Sequence, residues 1–204
     1  MSEVLEDPVT ADEPTGAVTI SRRRRFAPLV VGVIAVLMVG LFIVLAGASP
    51  DDGGTSADSP LIGRPAPEAT GTLSDGTSFD LSRRKGSWVV LNFFDPTCVP
   101  CIREHPELVA FSADQATLGT DGAELYSVIT RGDRAEIEAF FDENGGDWPA
   151  IYSEADEFPV AFGVAQVPET WIVDPSGIVQ LRLISEVTAD QLNSILRQYR
   201  EQYG

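Results

Sequence analysis

FDPTCVPCIREHPEL, residues 94–108, decides how the rest of the chain is read. It holds both cysteines of the protein, Cys98 and Cys101, and its only histidine, His105. The segment just before it, Trp88–Phe94 (WVVLNFF), is a near-continuous apolar run of the kind that forms a buried central strand. The strand is expected to end at Asp95-Pro96, where the chain must turn. A helical pattern follows, with Ile102, Leu108, Val109 and Phe111 on one face and Pro106 inside it, where a kink is expected. The cysteine pair therefore opens a helix directly after a strand.

Three chemistries suit two cysteines at this spacing. A structural zinc requires four ligands. Two cysteines and one histidine leave the fourth to a carboxylate, so no metal site is expected. A stabilising staple is a poor use of so small a ring, because the loop-closure benefit of a disulfide grows with the length of the loop. The redox reading fits best. At a helix N-terminus the free N–H groups and the dipole favour an anion, which makes a thiolate available. Cys98 is thus the expected nucleophile and Cys101, one turn in, the resolving thiol.

Working outward, residues 69–82 alternate around Asp75-Gly76 as a hairpin. Residues 123–130 read as a second apolar strand, and 133–144 as an amphipathic helix ended by Gly145-Gly146. A short strand over 148–152 and a short helix over 156–163 follow. Residues 170–173 and 178–184 flank the turn Asp174-Pro175-Ser176-Gly177 as a hairpin, and Thr188 caps a last helix reaching about Tyr199. Strands alternating with helices and then a hairpin imply an α/β fold with a mixed sheet and helices on its faces.

The first 48 residues differ in character. Residues 1–25 read as a cytoplasmic disordered tail that ends in four arginines, Arg22–Arg25. Residues 26–48 are uncharged and long enough for a transmembrane signal anchor. Arginines beside a span stay inside, which places the N-terminus in the cytoplasm and the folded part on the extracytoplasmic side of the cell membrane. The rival is a signal peptide cleaved after Ala48, although its apolar stretch would be longer than usual. Residues 49–60 read as a polar linker, and 61–204 as one redox domain. The chain carries 31 acidic and 14 basic residues, 26 and 10 of them beyond the apolar run. Such a surface repels nucleic acid.

VVLNFFDPTCVPCIREHPEL resembles the active-site segment of thioredoxin-fold proteins. It is most similar to the membrane-anchored branch called DsbE or CcmG, with its ResA and TlpA relatives. Val167-Pro168-Glu169-Thr170, followed by WIVDPSGIV and lying about 70 residues on, resembles the second motif of that branch. The resemblance implies a thioredoxin-like three-layer fold with an N-terminal hairpin and a central strand-helix insertion over 123–144. It also implies a cis Pro168 facing the disulfide, with Val167 pairing to the partner's backbone and Glu169 shaping the partner groove. Asn92 stands where many thioredoxins carry a buried acid, and Glu104 matches a glutamate of the branch that would take the proton of Cys101. Thr97 departs from the branch, which usually has Trp before the first cysteine.

The implied activity is dithiol–disulfide exchange without metal or organic cofactor. Its partners would be a protein disulfide, namely the haem-binding thiols of apocytochrome c during cytochrome c maturation, and a membrane thiol–disulfide electron donor. The alternatives are a broader exchanger or oxidant for exported proteins, and a non-catalytic binding module. The cysteine pattern of a peroxiredoxin is absent around both thiols.

Overall fold

The structure is a computed structural model that describes residues 27–46, 54–153 and 157–203. The expected tail, residues 1–25, and the first part of the expected linker lie outside these residues. Two compact units divide near Pro50.

The first unit contributes α1, Ala27–Ala46, a helix of 20 residues with no charged side chain. At 1.5 Å per residue it is about 30 Å long. Side chains are described for 29–42 of it, and all of these are exposed. Among the described residues no helix is long and apolar enough to cross a membrane.

The second unit holds a single eight-stranded mixed sheet: β1 (Thr55–Ser56), β2 (Thr70–Leu73), β3 (Ser78–Asp80), β4 (Val89–Phe94), β5 (Glu124–Ile129), β6 (Ala150–Tyr152), β7 (Glu169–Val173) and β8 (Val179–Ile184). Its spatial order is β1-β8-β7-β4-β5-β6-β2-β3. The central strand β4 runs parallel to β5 and antiparallel to β7. Every residue of β4 is buried, as an apolar run covered on both faces requires. Thr55–Ser56, placed in the linker by composition, instead pair antiparallel with Ile184 and Leu183 of β8. Polar side chains did not disclose this, because the pairing is made by backbone groups at a sheet edge.

The helices are α2 (Val99–Thr117), α3 (Arg134–Asn144), α4 (Glu157–Phe162) and α5 (Ala189–Tyr203). Helix α2 continues through Pro106. Helix α3 starts with a capping box between Asp133 and Glu136, and Thr188 Oγ1 accepts from Gln191 N at the start of α5. The hairpin β2–β3 turns at Gly76, whose φ of 85° a side chain would resist.

Alternation along β4 divides the core. Val89, Leu91 and Phe93 join Phe79, Phe158 and Trp171 on one face. Val90 joins Leu108 and Phe111 of α2, and Leu192 and Leu196 of α5, on the other. Asn92 shares the second face by its period of two, so a polar side chain lies directly beneath α2. Each fully buried Leu or Phe stabilises the domain by roughly 1.5–3 kcal/mol, which fixes α2 and the pair at its start against the sheet.

Candidate active site

Cys98 is the N-cap of α2, and its sulfur accepts a hydrogen bond from the amide of Cys101 at 3.3 Å. The two cysteines form a disulfide with Cα atoms 5.2 Å apart. Cys101 is fully buried, whereas Cys98 is half-buried and flanked by exposed Val99. The outer sulfur is therefore the one a partner can reach. The helix begins here because Asp95, Pro96 and Thr97 form a turn closed on itself. Asp95 Oδ1 accepts from the amide of Thr97 at 2.8 Å and from its hydroxyl at 2.7 Å. Asp95 O accepts from Cys98 N at 3.1 Å, and Arg131 lies 3.7 Å from the same carboxylate. At position 97 this chain therefore uses a threonine hydroxyl to hold the turn.

The second sequence motif reaches the same place. The Val167–Pro168 peptide is cis, and the carbonyl of Val167 lies 3.6 Å from Cys98 Sγ. Pro168 is buried, and its carbonyl accepts from Ser185 N at 3.1 Å. Cys98, Cys101, Val167 and Pro168 are thus brought together.

Glu104 is also here, on α2 and only 1% exposed. Its Oε1 accepts from Val187 N at 2.8 Å and its Oε2 from Asn92 Nδ2 at 3.0 Å. Burial pushes the carboxyl up from 4.5 to about 8; the two donors oppose that rise, and the nearby charge of Glu186 adds to it. Spaced three residues from Cys101 on one helix, the two side chains share a face. A buried carboxyl poised near neutrality one helical turn from Cys101 is suited to take and return a proton when the pair is reduced.

Glu169 is placed differently from the expectation that it shapes the groove. It is fully buried on the face opposite α2, because the next residue, Thr170, turns its hydroxyl to Asn92 at 3.1 Å. Its carboxylate accepts from Trp171 Nε1 at 2.6 Å and from Arg182 Nε and Nη2 at 3.0 and 2.8 Å. The register puts Arg182 opposite Trp171, diagonal to Glu169, which is within reach across a strand pair. Glu169 therefore anchors the strand that follows Pro168 and does not line its surface.

His105 is buried too. Its Nε2 lies 2.7 Å from the carbonyl of Gly145 at the end of α3, with Phe140, Phe141 and Trp148 around the ring. Burial lowers its pKa below 6.5. It ties α2 to α3, as expected of a structural residue. No group of metal-ligating side chains occurs among the described residues. The contacts that composition did not reveal are Asn92 and Val187 on Glu104 and Asp95 under Thr97. For Asn92 a signal existed, since a lone amide inside an apolar strand needs a partner.

Comparison with known proteins agrees with this geometry. Residues 62–182 match the model of the AhpC/TSA family. The chain is 30% identical over 135 residues to the thiol:disulfide interchange protein HelX of Rhodobacter capsulatus, covering 64% of this chain and 72% of that one. It is 26% identical over 145 residues to the thiol-disulfide oxidoreductase ResA of Geobacillus thermodenitrificans, covering 70% and 80%. Among solved structures, a secreted thiol-disulfide isomerase from Corynebacterium glutamicum superposes with a TM-score of 0.61 at 23% identity, over 72% of this chain and 92% of that one. A DsbE-type interchange protein from Chlorobium tepidum gives 0.58 at 22%, over 75% and 99%. With its thioredoxin-like sheet and paired cysteines, the chain belongs to the AhpC/TSA family, in the branch of thiol–disulfide oxidoreductases that includes HelX and ResA.

Proposed function

We propose that this protein is a membrane-anchored reductant of protein disulfides on the extracytoplasmic side, acting on the haem-binding thiols of apocytochrome c. The observation that carries the exchange chemistry is a half-exposed Cys98 against the Val167 carbonyl, with Cys101 and Glu104 buried behind it. The thiolate of Cys98 attacks a partner disulfide, one partner sulfur leaves as a thiolate, and a mixed disulfide forms. Cys101 passes its proton to Glu104 and attacks Cys98 Sγ. The Cys98–Cys101 bond forms, the bond to the partner breaks, and the second partner thiolate leaves and takes up a proton. The partner gains two electrons and this chain is oxidised. A membrane thiol–disulfide donor returns it to the dithiol.

The 20-residue uncharged helix α1 behind four arginines supports the anchor and its orientation. The likeness of both motifs to the branch that serves cytochrome c maturation supports the substrate. Cys101→Ser removes the resolving thiol and should accumulate a covalent adduct through Cys98 with an oxidised CxxCH apocytochrome fragment. If no adduct forms with that fragment but one forms with other exported disulfide proteins, the assigned substrate is wrong. If none forms at all, the exchange mechanism is wrong. A redox titration sets the direction, and a potential as high as that of strong periplasmic oxidants would overturn the assignment as a reductant.

A further inference from the structure

The two oxygens of Glu104 face different kinds of partner. Oε1 meets the backbone N–H of Val187, a group that can only donate. The carbonyl oxygen of a carboxylic acid accepts from an N–H better than its hydroxyl oxygen does, so the acid form favours its proton on Oε2. The polar neighbour of Oε2 is Asn92, whose Nδ2 donates to it at 3.0 Å and to Thr170 Oγ1 at 3.1 Å. That arrangement suits the ionised carboxylate best, because a protonated Oε2 has a hydrogen to donate and an acceptor satisfies it. The acceptor is on the same side chain: Asn92 Oδ1 is buried without a hydrogen-bond partner. Thr170 tolerates either orientation, since a hydroxyl accepts or donates.

We infer that Asn92 is a positioning residue whose side-chain amide turns over as Glu104 gains and loses its proton, donating from Nδ2 to the carboxylate and accepting at Oδ1 from the acid. This rests on the reading of Glu104 as the acceptor of the Cys101 proton. The turn-over gives each protonation state of Glu104 a matched partner on β4. An aspartate at position 92 would instead place a second ionisable group against Glu104. The groups facing Glu104 are few. Glu186 of the β8–α5 loop adds its charge and is itself bound by Arg103. Cys101 shares the helix, and β4 and β7 present only the uncharged Asn92 and Thr170. Glu169 and Arg182 pair with each other on the opposite face.

The test uses the oxidised full chain in detergent micelles, so that the cysteines do not titrate. The protein has three asparagines, and selective 15N-asparagine labelling therefore gives three side-chain NH2 pairs. The Asn92 pair is identified by its loss in Asn92→Ser. With 13C-glutamate, the Glu104 carboxyl carbon reports ionisation between pH 6 and 9.5. The expected result is loss, at pH 6, of the nuclear Overhauser contacts that link the Asn92 NH2 protons to Glu104 and Thr170 at pH 9.5. The loss should have the same midpoint as the Glu104 carbon. If Glu104 titrates and those contacts persist unchanged, Asn92 is a fixed donor; the inference falls while the role of Glu104 stands. If the Glu104 carbon does not move, both fall together.

Discussion

Replacing Glu104 by glutamine should remove a pH dependence of stability whose size follows from its burial. The folded state holds the Glu104 proton more tightly than the unfolded chain does, with the group raised from 4.5 to about 8. Stability from this group is therefore fully present below about pH 4.5, declines as the pH rises, and is lost above about pH 8. At about 1.4 kcal/mol per pH unit, the ionised form costs the fold about 5 kcal/mol, a large fraction of the roughly 5–15 kcal/mol that holds a domain together. Glutamine keeps an acceptor for Val187 N and a donor for Asn92 Oδ1 without any charge. Urea unfolding of the oxidised protein, followed by the fluorescence of the buried Trp88, Trp148 and Trp171, gives the stability of both forms at pH 5, 7 and 9. Glu104→Gln should gain on the parent as the pH rises, ending several kcal/mol more stable at pH 9. His105, whose pKa is lowered by burial, opposes folding on the acid side in both proteins and cancels in the difference. A difference that stays constant within about 1 kcal/mol from pH 5 to 9 would refute the reasoning.

Arg182→Ala strands the fully buried carboxylate of Glu169 and should cost about 3–5 kcal/mol in the same urea titration, with Glu169→Gln in the same background recovering part of the loss. Thr97→Val removes the hydroxyl bond to Asp95 and should cost about 1 kcal/mol, while Thr97→Ser should lie near the parent; a loss in Thr97→Ser with none in Thr97→Val would show that the methyl group matters instead. Asp133→Ala opens the capping box of α3 and should cost about 1 kcal/mol, read as a drop of about 2–4 °C in melting temperature. His105→Leu should flatten the loss of stability below about pH 6.5, because a histidine held neutral by burial stabilises the fold above that range and weakens it as the pH falls.

The apolar run of β4 and the turn after it made the central strand and the start of α2 readable from sequence, since burial on both faces leaves no polar alternation to mistake. The DPSG turn did the same for β7–β8. The place of Cys98 at the start of α2 was legible because it depends on local sequence, a turn directly after a strand. The partners of Glu104 were not, because they come from strands and loops 12 and 83 residues away. Glu169 was misplaced for the same kind of reason. Its place beside Pro168 in sequence points to the groove, yet alternation turns it to the other face and an arginine 13 residues on holds it there. Strand β1 escaped composition altogether, because a two-residue edge pairing needs no apolar side chain.

The shortness of that pairing matters for a protein that handles chains with reactive cysteines. The sheet ends in β1 on one side and β3 on the other, strands of two and three residues. Long bare edges recruit foreign strands without regard to sequence. Brief terminal strands limit such adhesion, so a chain that meets this domain for thiol–disulfide exchange finds little sheet edge to hold it afterwards.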